Sequence, residues 1–157
     1  MSALTPPIMS VQFDGTSPEE QRPGDIARPE GTRMSATITD AEQIATKIDG
    51  YTRGCQTGDG TFLKEAFHPD ARMFGHVGPD RYDIPIFGGM DAAVAEHPTG
   101  NHTSKILSID VAGDAACVKL AESGFWGQDF IDFFLLSRID GEWQIVSKSF
   151  DNSGPSA

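Results

Sequence analysis

Basic residues are scarce in this chain: 12 Lys and Arg stand against 23 Asp and Glu in 157 residues, a formal net charge of −11. A phosphate-backbone partner needs clustered cations to displace counterions, so nucleic acid is excluded as a ligand. Cysteine is nearly absent. Cys55 and Cys117 form no Cys-x-x-Cys pair, which leaves no disulfide framework, metal knuckle or redox couple to consider. No apolar run approaches the roughly 20 residues of a membrane span; Phe133–Leu136 is typical of the longest. The first residues lack a positive start followed by an apolar stretch, so no secretory signal is expected and a cytoplasmic location follows. The four histidines (68, 76, 97 and 102) show no helical metal spacing, and Gly88-Gly89 alone is too weak a signal for a nucleotide loop. Neither a metal nor an organic cofactor is expected.

What is present divides near residue 38. Pro6, Pro7, Pro18, Pro23 and Pro29 interrupt the first 38 residues, where no apolar period survives. An extended arm is expected there, with Leu4, Ile8, Val11 and Phe13 available to dock it, and a single domain over residues 39–150 followed by a short tail at 151–157. Thr39-x-x-Glu42 reads as a capping box at a helix start. Ile44, Ile48, Tyr51 and Cys55 then fall on one helical stripe. Gly50 and Gly54 inside that helix each cost about 1 kcal/mol relative to Ala, which implies that a neighbour crosses closely there. A short second helix carries Phe62, Leu63, Ala66 and Phe67 and stops at His68-Pro69. Residues 71–77 and 82–87 read as extended, and a third helix as spanning about 90–96.

The remainder reads as β. Gly113-Asp114 joins Thr103–Val111 to Ala115–Glu122, and Asp140-Gly141, the strongest hairpin signal, joins Phe130–Ile139 to Glu142–Phe150. Helices first and long strands afterwards indicate an α+β domain with helices packed on one sheet face. A two-residue turn at Asp140-Gly141 pairs Arg138 with Trp143, Leu136 with Ile145, Phe134 with Ser147 and Asp132 with Ser149. Asp132, Phe134, Leu136, Trp143 and Ile145 then face the helices, and Phe133, Leu135, Val146, Lys148 and Phe150 form an opposite face too apolar for water. An inward Asp132 is either an acid, base or hydrogen-bond donor with a raised pKa, or a buried carboxyl bonded to backbone or to Ser149. Tyr51 aims its hydroxyl at the same cavity or is a core tyrosine. His76 and His102, near strand ends, are the better placed general bases; His68 and His97 read as loop and helix-end residues.

Tyr51-x-x-Gly54-x-x-x-Gly58-Asp59, Ala66-Phe67-His68-Pro69-Asp70-Ala71 and the run from Asp132 to Phe150 together resemble the nuclear-transport-factor-2-like superfamily. The ending resembles its lumazine-binding branch, close to the SnoaL-like polyketide cyclases, over about residues 40–150. The resemblance implies a cone: a curved antiparallel sheet wrapped around three N-terminal helices, cystatin-like, enclosing an apolar pocket and usually dimeric. The superfamily includes ketosteroid isomerase and scytalone dehydratase as well as non-catalytic binders, so fold alone does not give function. Tyr51 and Asp132 stand where the isomerases carry an oxyanion-hole Tyr and a protonated Asp, an arrangement known from that enzyme. The isomerase base has no counterpart, since Gly75 occupies its place. These readings lead to a cofactor-independent lyase, isomerase or dehydratase acting on a small apolar, aromatic or cyclic substrate. Tyr51 and Asp132 would stabilise an oxyanion, and His102, His76 or Lys148 would move the proton. Phe74, Tyr82, Phe87, Phe125, Trp126, Phe134 and Trp143 are the expected lining. A homodimer, or a higher oligomer, through the outer sheet face is the expected assembly. The competing readings are a non-catalytic small-molecule binder and a dimeric interaction domain.

Overall fold

The computed structural model describes the backbone from residue 30 onward and side chains from residue 40; the docking residues of the expected arm and its first 29 positions lie outside the described residues. Helix α1 runs Glu30–Thr57, so Thr39 lies inside it and does not start it, and residues 30–38 are helical where an extended arm was expected. The stripe forms as its spacing predicts: Ile44, Ile48, Tyr51 and Cys55 are all buried. Asp59 caps α2 (Gly60–Ala66) by accepting a hydrogen bond from the Thr61 amide at 2.9 Å. α2 crosses α1 at the two glycines. A Cβ on Gly54 would lie 2.7 Å from Leu63 Cδ2, whereas one on Gly50 would meet Phe62 O at 3.4 Å and Ala66 Cβ at 3.6 Å.

Six strands follow: β1 Phe67–Val77, β2 Asp80–Pro85, β3 Thr103–Ala112, β4 Ala115–Phe125, β5 Gln128–Ile139 and β6 Glu142–Pro155. Between β2 and β3 the chain kinks at Ile86–Met90: Phe87 is extended, as expected, and Gly88, at φ 79°, turns the chain into α3 (Asp91–Glu96). The sheet order is β2-β1-β6-β5-β4-β3, and β6 reaches Pro155, so most of the expected tail is strand. The sheet is mixed where an all-antiparallel one was expected, because β1 pairs with β6 in parallel. Hairpin signals are local and produce only antiparallel neighbours. The β1–β6 contact joins the first and last strands, and the α3 crossover sets its direction. No helix among the described residues is long and apolar enough to cross a membrane.

The β5–β6 hairpin keeps the expected register from Ile139↔Glu142 to Leu136↔Ile145, and then shifts. Leu135 pairs with Ser147, leaving Val146 as an extra residue on β6. Past this bulge every β6 side chain changes face. Phe134 now opposes Lys148 and Asp132 opposes Phe150, so Lys148 and Phe150 turn inward instead of joining the outer face. Asp132, Phe134, Leu136, Trp143 and Ile145 are inward and buried, and Phe133 and Leu135 remain exposed on the other side.

The two helix glycines give substitutions of opposite sign. Gly50→Ala is expected to stabilise by up to about 1 kcal/mol through helix propensity. Gly54→Ala should instead destabilise by about 1–3 kcal/mol by overpacking Leu63. Urea unfolding of the two variants checks this, and equal shifts would contradict the crossing.

Candidate functional site

A cavity of about 520 Å³ lies between the sheet's concave face and the β2–α3 side of the molecule. One wall is aliphatic and thioether: Met73 and Val77 from β1, Ile84 from β2, and Met90 and Ala93. The other is aromatic: Phe125, Phe130, Phe150 and Tyr82 meet edge-on or tilted, with successive ring centroids 5.9, 5.7 and 5.9 Å apart. Such an arc gives apolar area with little freedom to collapse. Among the described residues, only two on the lining carry charge, Glu122 and Lys148, and both are almost fully buried.

These two charges belong to a closed network. Lys148 Nζ donates to Asp132 Oδ2 at 3.0 Å and lies 3.9 Å from Glu122 Oε2. The Tyr51 hydroxyl lies 3.1 Å from Glu122 Oε2 and 3.4 Å from Asp132 Oδ2. His102 Nε2 meets Glu122 Oε1 at 2.9 Å, and its ring stands edge-on to Phe125. The rings of Tyr51 and Phe150 each lie 5.1 Å from Lys148 Nζ and add cation–π stabilisation.

The proton inventory follows from these contacts. Burial works against a charged Lys148, but Asp132 and Glu122 outweigh it and hold the ammonium pKa above its ordinary value. Burial also pushes the Asp132 carboxyl well up; Lys148 pulls against this and the neighbouring Glu122 charge adds to it. Glu122 goes the other way, to about 2: burial raises its pKa, but Lys148 and the His102 hydrogen bond overcome that. The two carboxyls are thus pushed in opposite directions, Glu122 toward its ionised form and Asp132 toward its protonated one. The Tyr51 hydroxyl is placed to donate to Glu122 Oε2, the shorter contact, or to Asp132 Oδ2, and burial pushes the phenol pKa well up. Burial likewise raises the Cys55 thiol, which is no nucleophile here.

The expected residues are only partly brought together. Tyr51, Asp132, His102 and Lys148 form one cluster, but Tyr51, Asp132 and His102 are not on the cavity lining; they stand behind Glu122 and Lys148. A hole in which Tyr51 and Asp132 themselves grip the substrate is not what the fold presents. His76 and Phe74 point to the exposed face of β1, because alternation there turns Met73, Gly75 and Val77 inward. Phe87 is off the lining, Phe134 is buried behind it, and Trp143 lies in the core, where its indole N–H reaches Asp40. Tyr82, Phe125 and Trp126 do line the cavity. Gly75, in the place of the isomerase base, makes room for Phe150: a Cβ there would lie 2.6 Å from the ring.

Glu122 is the residue sequence reasoning missed. A signal existed, because Ala116, Val118, Leu120 and Glu122 alternate along β4 and share the inward face.

Residues 39–151 match the family described as "Putative lumazine-binding". A Cladobotryum protein, the aldolase FrzH, is 31% identical over 123 residues, covering 74% of this chain and 96% of its own. A Methylobacillus flagellatus protein of unknown function, described as nuclear-transport-factor-2-like, superposes with a TM-score of 0.69 at 31% identity, covering 74% of this chain and 94% of that one. A Shewanella baltica protein of the same description gives 0.67 at 28% identity, covering 73% and 94%. With the helices packed on a six-stranded sheet, the cavity and these likenesses together, the chain belongs to the putative lumazine-binding family of the nuclear-transport-factor-2-like superfamily.

Proposed function

We propose that the chain is a lyase of the aldol or dehydratase kind, forming an enolate from a small, largely apolar carbonyl compound. One observation carries this: the Glu122 carboxyl and the Lys148 amine lie 3.9 Å apart, both nearly fully buried, at the inner end of an apolar cavity. The substrate carbonyl accepts a hydrogen bond from Lys148 while the Glu122 carboxylate takes the α-proton. Glu122 is a weak base at rest because Lys148 holds its pKa down. As negative charge grows on the substrate oxygen, Lys148 is drawn toward it, and the carboxylate becomes more basic as the proton moves. The enolate carbon then attacks a second carbonyl, or expels a β-oxygen, and Glu122 returns its proton to the alkoxide or the leaving oxygen. The raised pKa of Lys148 suits donation and not imine formation, which needs a neutral amine. Tyr51 and His102 orient Glu122, and Asp132 anchors Lys148. The relative from Cladobotryum is named an aldolase, and aldol chemistry passes through an enolate, which supports this reading.

The second part of the proposal concerns assembly. Phe133 and Leu135, 43% and 52% exposed on the outer sheet face, are the surface on which a second copy packs. Leu135→Lys is expected to turn a dimer into a monomer in sedimentation analysis, and an unchanged mass rejects that face.

Enolate formation is tested with 2-tetralone, a neutral bicyclic ketone, by following α-hydrogen exchange in D2O by proton NMR. Glu122→Gln and Lys148→Met are expected to lower the exchange rate by about 100-fold or more. Full retention in either variant rejects its role. Because Glu122 is ionised down to about 2, exchange should show no acid limb near the ordinary glutamate pKa for as long as the protein stays folded.

Asp132 gives a separate test through stability. Its raised pKa means that folding retains a proton that the unfolded chain loses above about pH 3.9. That contribution is complete below the unfolded pKa and is lost as pH rises through the folded one. Thermal melts should therefore show Asp132→Asn gaining on the wild type as pH rises from about 4 to about 7. A pH-independent difference would mean that Asp132 is ionised.

A further inference from the structure

The cavity holds a second polar feature, at the opposite end from the charges. Gln128 and Asn152 line it from β5 and β6, each four residues along its strand from Asp132 or Lys148. At about 3.3 Å per residue this places them some 13 Å of strand away from the Lys148 and Asp132 positions. Their amides meet each other, Asn152 Nδ2 lying 3.3 Å from Gln128 Oε1. Asn152 Nδ2 also reaches the Asp129 carbonyl at 3.4 Å. Gln128 Nε2 and Asn152 Oδ1 make no hydrogen bond within the described protein. Turning both amides over would leave the same provision, one donor and one acceptor side by side. A secondary amide is the complement of such a pair: its carbonyl accepts from one side chain and its N–H donates to the other. Among the described residues a carboxylate or phosphate finds no cation there, since Lys148 is the only basic one on the lining and is already paired to Asp132.

We propose that Gln128 and Asn152 form an amide-recognition subsite, so that the natural ligand is a neutral, ring-containing carbonyl compound with an amide at the end remote from its reacting carbonyl. The proposal uses the orientation given under Proposed function, with the reacting carbonyl on Lys148, and adds the chemistry of the far end. The aromatic arc from Phe125 to Tyr82 borders the ring system between the two ends. Met73 and Met90 on the facing wall adapt to its outline.

The test is calorimetric binding of 2-tetralone, of 6-acetamido-2-tetralone and its homologues with one or two methylenes before the nitrogen, and of 2-tetralone-6-carboxylate. At least one amide probe is expected to bind about tenfold or more tighter than 2-tetralone, as two modest hydrogen bonds provide. The carboxylate should bind more weakly than the parent. Gln128→Leu with Asn152→Leu should abolish the amide's advantage over 2-tetralone measured in the same variant, with thermal melts confirming that the variant folds. The subsite is overturned if no amide probe gains over 2-tetralone in the wild type, if none binds at all, or if the gain survives in the double variant. The enolate reading fails separately. Amide binding without α-exchange would reject the chemistry and keep the subsite; exchange without an amide preference would do the reverse.

Discussion

Lys148 carries a full charge at a position where only 5% of its surface meets solvent, and an isolated ammonium there would cost several kcal/mol in lost hydration. The fold supplies its compensation from two strands and a helix. Asp132 comes from β5 and Glu122 from β4, while Tyr51 on α1 contributes a ring face to the ammonium and a hydroxyl between the two carboxyls. No member of this cluster can be removed without leaving another polar group unpaired in a dry interior. The sheet register, the face of α1 and the position of His102 are therefore tied to one another through a single buried cation.

The backbone feature that delivers the cation is the extra residue at Val146. A regular hairpin would put Lys148 on the outer face beside Phe133 and Leu135, leaving Asp132 and Glu122 as two buried carboxyls with no counterion. With the bulge, the apolar part of β6 (Trp143, Ile145) seals the core beneath the helices, and its later part (Lys148, Phe150, Asn152) faces the cavity. One strand thus serves two interiors, and the change between them occupies one residue. Bulges of this kind are common beside active sites because they re-aim side chains without altering the fold.

Much of this was legible in the sequence where the signal was local. The Asp140-Gly141 turn set the first pairs of the last hairpin, the glycines of α1 marked a crossing helix, and alternation turned Asp132 inward. The remaining features depend on non-local partners. The parallel β1–β6 pair joins the first strand to the last, and nothing in either segment announces the other. The bulge at Val146 is a tertiary adjustment to what must face inward beyond it, so strict alternation misassigned Lys148 and Phe150. Glu122 was passed over for a different reason. Its neighbours in the inward series are apolar, and an acidic residue ending such a series reads as a strand leaving the core rather than as a charge placed inside it. Tyr51 and Asp132, singled out by the family likeness as oxyanion donors, lie in one cluster, but Glu122 and Lys148 stand between them and the cavity.

The two tryptophans occupy environments as different as this molecule allows. Trp143 is fully buried, with the Arg138 guanidinium 4.6 Å from its ring and its indole N–H on Asp40. Trp126 lies on the cavity wall, 48% exposed, held by a 2.7 Å hydrogen bond from its indole N–H to the His97 carbonyl beyond α3. The protein thus carries two intrinsic fluorophores with separate duties: the blue-shifted emission of one follows the integrity of the core, and the emission of the other follows what enters the cavity. Occupancy and unfolding become optically separable in the native chain without an added label.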